Sequence, residues 1–228
     1  MLWTFPYGEG IDDFSKKWYD LYQEGRRKGK QWIISISREY GSGGHKIAEK
    51  LSEIFDFPMY DRELLDNVFG DEANVEEWRE CDEMPAPLAF SKKFSGTKNS
   101  SEYTLAKRQF NYLRKKANEG DSFVVVGRCS EHILREYDGL IPIFILGDED
   151  TKIKRVMERR NFTEKEAKAA LARHNRLRER YHNSYCEGKW GDSRCYDVCI
   201  NSSRLGLDGT VKILEDYIRG RMEQEDEQ

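Results

Sequence analysis

Short apolar runs alternate along the chain with longer stretches whose apolar positions recur at helical spacing. WIISIS (32–37), SFVVVGR (122–128), IPIFILG (141–147) and DVCINSS (197–203) are β-rich and lack strict apolar–polar alternation. Strands buried on both faces of a parallel sheet have that pattern. FPMYD (57–61) adds a shorter fifth strand, which Pro58 confines to a strand start or a sheet edge. Helical patterns occupy 43–56, 102–119, 129–137, 149–160, 163–187 and 207–223. Strands alternating with helices form βαβ units, so the fold class is α/β. Three α/β/α layers are expected around a parallel sheet of about five strands.

Three stretches depart from this alternation. Within residues 1–30, Phe14, Trp18, Leu21 and Tyr22 stand at i, i+4, i+7 and i+8. They form a helical face that needs a cover, either the chain's own core or a second copy in a homodimer. Residues 66–101 are polar, are broken by MPAP and contain SKKFSGTKNSS. They read either as an insertion over a site or as a plain loop. The acidic tail MEQEDEQ is expected to fray. The expected organisation is an extension over 1–30 and one domain over 31–228, with the 66–101 insertion and a lid region at 160–195.

Composition narrows the function classes. A single domain of 228 residues buries roughly 70% of its unfolded surface and needs no covalent or metal staple. No apolar run approaches the ~20 residues of a membrane helix, and MLWTFPYGEG lacks the features of a secretory leader. A cytoplasmic protein without a membrane partner is expected. Thirty-eight basic residues against 42 acidic ones give a net charge of −4, which argues against a nucleic-acid polymer as partner. The five cysteines (Cys81, Cys129, Cys186, Cys195 and Cys199) are odd in number and lack a framework spacing, as reduced thiols do. Cys195 and Cys199 with His182 offer metal-ligand types, but there is no C-x-x-C pair and Cys199 falls in a strand. No metal site is expected from them.

The segment richest in chemistry is IISISREYGSGGHKIAEKLSEIF. A buried strand enters the turn Gly41-Ser42-Gly43-Gly44, and a helix starts near His45. Glycines let successive N–H groups point into one concavity, and the helix start adds unpaired N–H groups and a positive dipole end. That combination binds phosphate, with His45 placed to cap the turn. It departs from the G-x-x-x-x-G-K-[ST] pattern, because alignment through Gly41 and Gly43 places Arg38, Gly44 and His45 where Gly, Lys and Ser/Thr belong. Arg38 and Lys46 are the nearby cations that can substitute for the lysine. Mg²⁺ would then rely on substrate oxygens, water, Ser42 or Ser37.

These residues carry a specific resemblance. SREYGSGGHKIAEKLSEIFDFPMYDRELL resembles the signature of the cytidylate kinase-like family, P-loop proteins similar to bacterial (d)CMP kinases. VVVGRCSEHIL, RHNRLRERY, GKWGD and YDVCINSSRLGLDGTV follow in matching order, so the likeness spans about 32–218. It implies a P-loop nucleoside monophosphate kinase-like fold with a helical lid and an acceptor-site insertion. It also implies ATP and Mg²⁺ as cofactors and CMP or dCMP as the acceptor.

On the predicted helix 163–187, Thr163 and Glu166 form a capping box. With Arg173 at 0°, Arg176 and Arg180 fall at about 300° and 340°, so the three share one arc. Ala167, Ala170, Leu171, His174, Leu177 and Tyr181 form a separate apolar face. Clustered arginines suit a transferring phosphoryl group, although a solvated charged face has the same composition. The resemblance assigns Arg173, Arg176, Arg178 and Arg180 to the lid. Arg178 falls at about 140°, inside the apolar arc, and carries less weight. An acidic lid residue of (d)CMP kinases is Leu177 here.

The resemblance also assigns Arg128 to the acceptor, where the family's Gly-Arg-Asp has become Gly127-Arg128-Cys129. Asp61 either binds substrate or caps a helix beginning at Arg62. The four histidines form no triad spacing, and His174 reads as packed. The expected activity is transfer of the ATP γ-phosphoryl group to CMP or dCMP. Arg38, Lys46, Arg173, Arg176 and Arg180 would stabilise charge. Gly41, Ser42, Gly43, Gly44, His45 and Lys46 would hold ATP, and Asp61 and Arg128 the acceptor. The alternatives are a nucleotide-binding protein that transfers nothing, because its turn is degenerate, and a kinase for another small acceptor.

Overall fold

In the computed structural model, which describes residues 31–61 and 101–226, five strands pair in parallel. They are Ile33–Arg38 (β1), Met59–Tyr60 (β2), Phe123–Val126 (β3), Leu140–Leu146 (β4) and Val198–Asn201 (β5). Their order is β2-β3-β1-β4-β5. The helices are Gly44–Phe55 (α1), Ser101–Asn118 (α2), Ser130–Ile133 (α3), Glu149–Arg160 (α4), Glu164–Tyr185 (α5) and Ser202–Asp226 (α6). The 1–30 face, most of the 66–101 insertion, Cys81 and the start of a helix at Arg62 lie outside the described residues.

The central strand is buried on both faces, as its sequence requires. Ile33, Ile34 and Ile36 are fully buried, and Ile36 registers with Val126 on one side and Ile143 on the other. On one face Ile34, Ile36, Val124 and Ile143 pack with Ile47 and Leu51 of α1 and with Leu214 and Ile218 of α6. On the other face Ile33, Phe123 and Val125 pack with Leu113 of α2 and Ile133 of α3. These two cores make the three layers. The buried hydroxyls of β1 are partnered: Ser35 Oγ lies 2.7 Å from Ser130 Oγ, and Ser37 Oγ donates to Glu131 Oε2 at 3.2 Å.

The differences from expectation occur at edges and ends. β2 is an edge strand that begins directly after Pro58, where a missing N–H is tolerated. At the opposite edge β5 is only half-buried, and Cys199 is exposed because no strand among the described residues lies beyond it. The helix expected over 129–137 shrinks to α3, since left-handed residues at Arg128 and Cys129 delay its start. α6 breaks its helical geometry at Gly206 (φ 68°). It then runs to Asp226, into the stretch expected to fray, with Met222 packed against the core.

The start of α5 follows the predicted capping box. Glu166 N donates to Thr163 Oγ1 at 3.4 Å, and Thr163 N donates to Glu166 Oε2 at 2.8 Å. Thr163→Ala leaves helix-end donors without a side-chain acceptor. It should lower unfolding stability by about 1 kcal/mol, read as a lower urea midpoint at unchanged slope.

Candidate active site

The strand order reverses at β1, with β3 and β2 on one side and β4 and β5 on the other. A crevice opens beyond the carboxyl ends of the strands at such a point, and the glycine turn lies there. Gly41 and Gly43 adopt φ of 78° and 82°, conformations in which a side chain is strained. A Cβ on Gly41 would also lie 3.0 Å from the Lys152 carbonyl. Gly43 is the N-cap of α1, which has no side-chain cap and no acid in its first turn. The positive helix end therefore faces the crevice with no carboxylate of its own first turn to balance it.

The turn is fixed from behind by groups on other elements. Glu39 Oε2 accepts from Lys152 Nζ at 2.6 Å and from Gly147 N at 3.1 Å. Arg155 Nη1 donates to Ser42 O at 2.9 Å and to Ser202 Oγ at 3.0 Å. Ser202 Oγ donates to the same Ser42 carbonyl at 2.5 Å. Burial pulls the Arg155 pKa down, yet an arginine stays charged at neutral pH. Ser42 Oγ, itself buried, donates to Glu39 O at 2.8 Å.

Arg38 takes a course set by two glycines. A Cβ on Gly44 would lie 2.6 Å from Arg38 Cβ and 2.9 Å from its Cγ. A Cβ on Gly127 would collide with Arg38 Nη1. The arginine thus leaves β1, crosses the bare Gly44 and carries its guanidinium to the end of β3. Gly44 occupies the slot where the P-loop lysine is absent, so the lost lysine and the room for Arg38 coincide at one residue.

Beyond β3, Gly127, Arg128 and Cys129 have φ of 75°, 63° and 55°. For the two non-glycine residues this conformation costs about 1–2 kcal/mol each, and such strain collects at functional sites. Ser130 Oγ holds the turn by donating to Gly127 O at 2.8 Å. The Arg128 guanidinium lies 5.3 Å from the centre of the Tyr181 ring on α5. Asp61 Oδ2, after β2, is 3.8 Å from His45 Nε2, which approaches Glu49 at 3.2 Å. His45 therefore turns towards these acids instead of capping the glycine turn.

Among the arginines of α5, Arg178 reaches the end of β1, just before the turn. Its Nη1 donates to Arg38 O at 3.0 Å, and its guanidinium lies 5.6 Å from the Tyr40 ring centre. Its place in the apolar arc has a physical reason: the packed face of α5 continues over the end of β1. Arg173 Nη2 lies 3.0 Å from His174 Nε2, while Arg176 and Arg180 are exposed, as is Lys46 on α1. His174 is buried and stacks on Tyr40 at 4.1 Å.

A family model described as the cytidylate kinase-like family matches residues 33–204. The chain belongs to this family. A crystal structure of an uncharacterized protein from Eubacterium ventriosum ATCC 27560 is 43% identical to it, with a TM-score of 0.67. That match covers 83% of this chain and 99% of the other. Shikimate kinase from Bacteroides thetaiotaomicron is 12% identical with a TM-score of 0.50, covering 82% of this chain and 98% of its own. A sugar kinase from Janibacter sp. HTCC2649 is likewise 12% identical with a TM-score of 0.50, covering 85% and 95%. These two share its fold. No protein of curated function matches the chain.

Sequence reasoning missed several groups of this cytidylate kinase-like site. Tyr40 is one: buried, it accepts the His174 stack, and its N–H donates to Asn175 Oδ1 at 2.7 Å. Glu39–Lys152 and the Arg155 clamp were likewise invisible, since each joins segments more than 100 residues apart. The only local signal was an acid and an aromatic directly before the glycines. Gly44→Ala should force Arg38 aside and lower stability by about 1–3 kcal/mol. Gly220→Ala, in α6 with nothing within 4 Å of the new methyl, should raise stability by about 0.5–1 kcal/mol. Paired denaturation curves check the contrast.

Proposed function

We propose that the protein is an ATP-dependent phosphotransferase that converts CMP or dCMP to the diphosphate. The observation that carries this reading is the path of Arg38. It brings a permanent, fork-shaped cation over Gly44 to the mouth of the crevice, beside an uncapped helix end. ATP supplies the γ-phosphoryl group. The backbone N–H groups of Gly41 to Lys46 receive its phosphates, and Arg38 takes the charge-stabilising role of the missing lysine. Lys46 is exposed three residues along the helix and serves as an outer cation.

The residues fit phosphate better than they fit a protein-held metal. Ser42 Oγ is turned into the glycine turn and Ser37 Oγ onto Glu131, so neither hydroxyl faces a phosphate-bound cation. Mg²⁺ would arrive on the nucleotide, held by phosphate oxygens and water. Arg128 and Asp61 flank the crevice from β3 and β2 and hold the acceptor. Arg173, Arg176 and Arg180 add charge as the transferring group becomes metaphosphate-like. Cys129 stands where the resembling kinases have an aspartate, which removes one anionic group from the acceptor side. The structure therefore supports phosphate handling more directly than base choice.

A second reading has its own observation. The turn lacks both the lysine and the hydroxyl of a standard P-loop, which favours a protein that binds nucleotide without transferring phosphate. An ADP-release assay over CMP, dCMP, UMP and AMP separates the two. Acceptor-dependent release is expected with CMP or dCMP, and Arg38→Ala should lower kcat about 10²–10³-fold. Nucleotide binding by calorimetry without release from any acceptor would establish the second reading. Release with UMP or AMP alone would reject cytosine specificity.

A further inference from the structure

Between α3 and the last turn of α5 the fold gathers side chains of the types that bind zinc. Glu131 follows the strained Arg128-Cys129 turn, His182 lies in the last turn of α5, and Cys186, four residues on, is the C-cap of that helix. His182 Nε2 is 2.7 Å from Glu131 Oε1, with the two side chains 5% and 2% exposed. The ligand atoms of Glu131, His182 and Cys186 are buried and all lie within 4.8 Å of one another.

Two features indicate that these atoms face a common centre. Glu131 Oε1 has no hydrogen bond, although His182 Nε2 is so near. The imidazole and the carboxylate therefore meet at ion-pair distance without hydrogen-bond alignment at Oε1. A buried carboxylate oxygen left in that state is costly. The other oxygen, Oε2, accepts from Ser37 Oγ, the kind of outer contact that orients a metal-binding carboxylate. In addition, Glu131, His182 and Cys186 line a cleft of about 560 Å³ that gives an ion a way in.

We propose that Glu131, His182 and Cys186 bind one zinc ion, with a water molecule completing the tetrahedron. Thiolate, imidazole and carboxylate together select a borderline-soft divalent cation over Mg²⁺ or Ca²⁺, which take oxygen ligands. Zinc–ligand bonds are about 2.0–2.3 Å long, so small side-chain rotations close the site. The residues differ from the pairing of His182 with Cys195 and Cys199 that the sequence invites. Cys199 is exposed on β5, and Cys195 lines the cleft. Bound zinc ties the end of α5 to the turn that carries Arg128. The site stands whether or not the neighbouring crevice transfers phosphate.

The test uses the untagged, full-length protein. Elemental analysis of protein purified without chelator should give about one zinc per chain. After chelation, added Co²⁺ should produce the thiolate charge-transfer band and intense d–d bands of a tetrahedral sulfur-containing site, and Zn²⁺ should abolish them. Cys186→Ser should remove or sharply weaken the charge-transfer band. Ser37→Ala, which touches no metal, should weaken Co²⁺ binding about 10–100-fold. A wild-type protein that holds no zinc and gives no such Co²⁺ spectrum overturns the proposal, leaving a metal-free cluster. So does a charge-transfer band of full intensity in folded Cys186→Ser. If that variant does not fold, the wild-type Co²⁺ spectrum alone decides.

Discussion

Everything in the crevice depends on holding one short glycine turn, with two of its glycines left-handed, at the start of α1. Glycine gives access to that conformation and also the greatest freedom to leave it. The restraint comes from the Glu39 carboxylate and the Arg155 guanidinium. Glu39 accepts from Lys152 on α4 and from Gly147 at the end of β4, so β1 and β4 exit in fixed relation. Arg155 joins the Ser42 carbonyl to the first residue of α6. Removing one partner of such a mostly buried pair costs about 3–5 kcal/mol. These bonds are better read as setting geometry than as net stabilisation, since desolvation offsets much of their attraction.

The turn then determines how a cation can reach phosphate. A lysine at position 44 would approach from the helix. Arg38 comes from the strand, and it can do so because Gly44 and Gly127 leave no side chain in its path. A guanidinium is planar, binds two oxygens at once and cannot lose its proton near neutral pH. It is also carried further, to the strained Arg128 turn, so one guanidinium spans from Gly44 to Gly127.

The sheet, its parallel sense and the order of helices were legible because buried β-rich runs and helical periodicity are local signals. So were the glycine turn and the Thr163–Glu166 cap, which depend on neighbours three or four residues apart. The direction of individual side chains was not. Arg178 sits in the apolar arc of α5, and nothing in its own segment shows that the arc continues over Tyr40 and the Arg38 carbonyl. His45 follows the glycines closely enough to suggest a cap, but Asp61 and Glu49 draw it away. His182 has an i+4 cysteine that spacing reveals. Its carboxylate neighbour, 51 positions earlier, appears only once the chain is folded.

The helix with the arginines is held at its middle and at its C-terminal end, which limits how it can act as a lid. Towards its middle His174 stacks on Tyr40, Asn175 accepts from the Tyr40 N–H, and Arg178 bonds to Arg38 O. At its end Tyr181 lies under Arg128 and His182 abuts Glu131. Swinging α5 as a rigid body would break contacts at both places, and a hydrogen bond to a charged group is worth about 1.5–3 kcal/mol. Rotating an exposed arginine side chain breaks none of them. Arg176 and Arg180, exposed on the face away from these contacts, are therefore free to change rotamer while the helix stays braced, and what sets their positions is the docking of the opposite face.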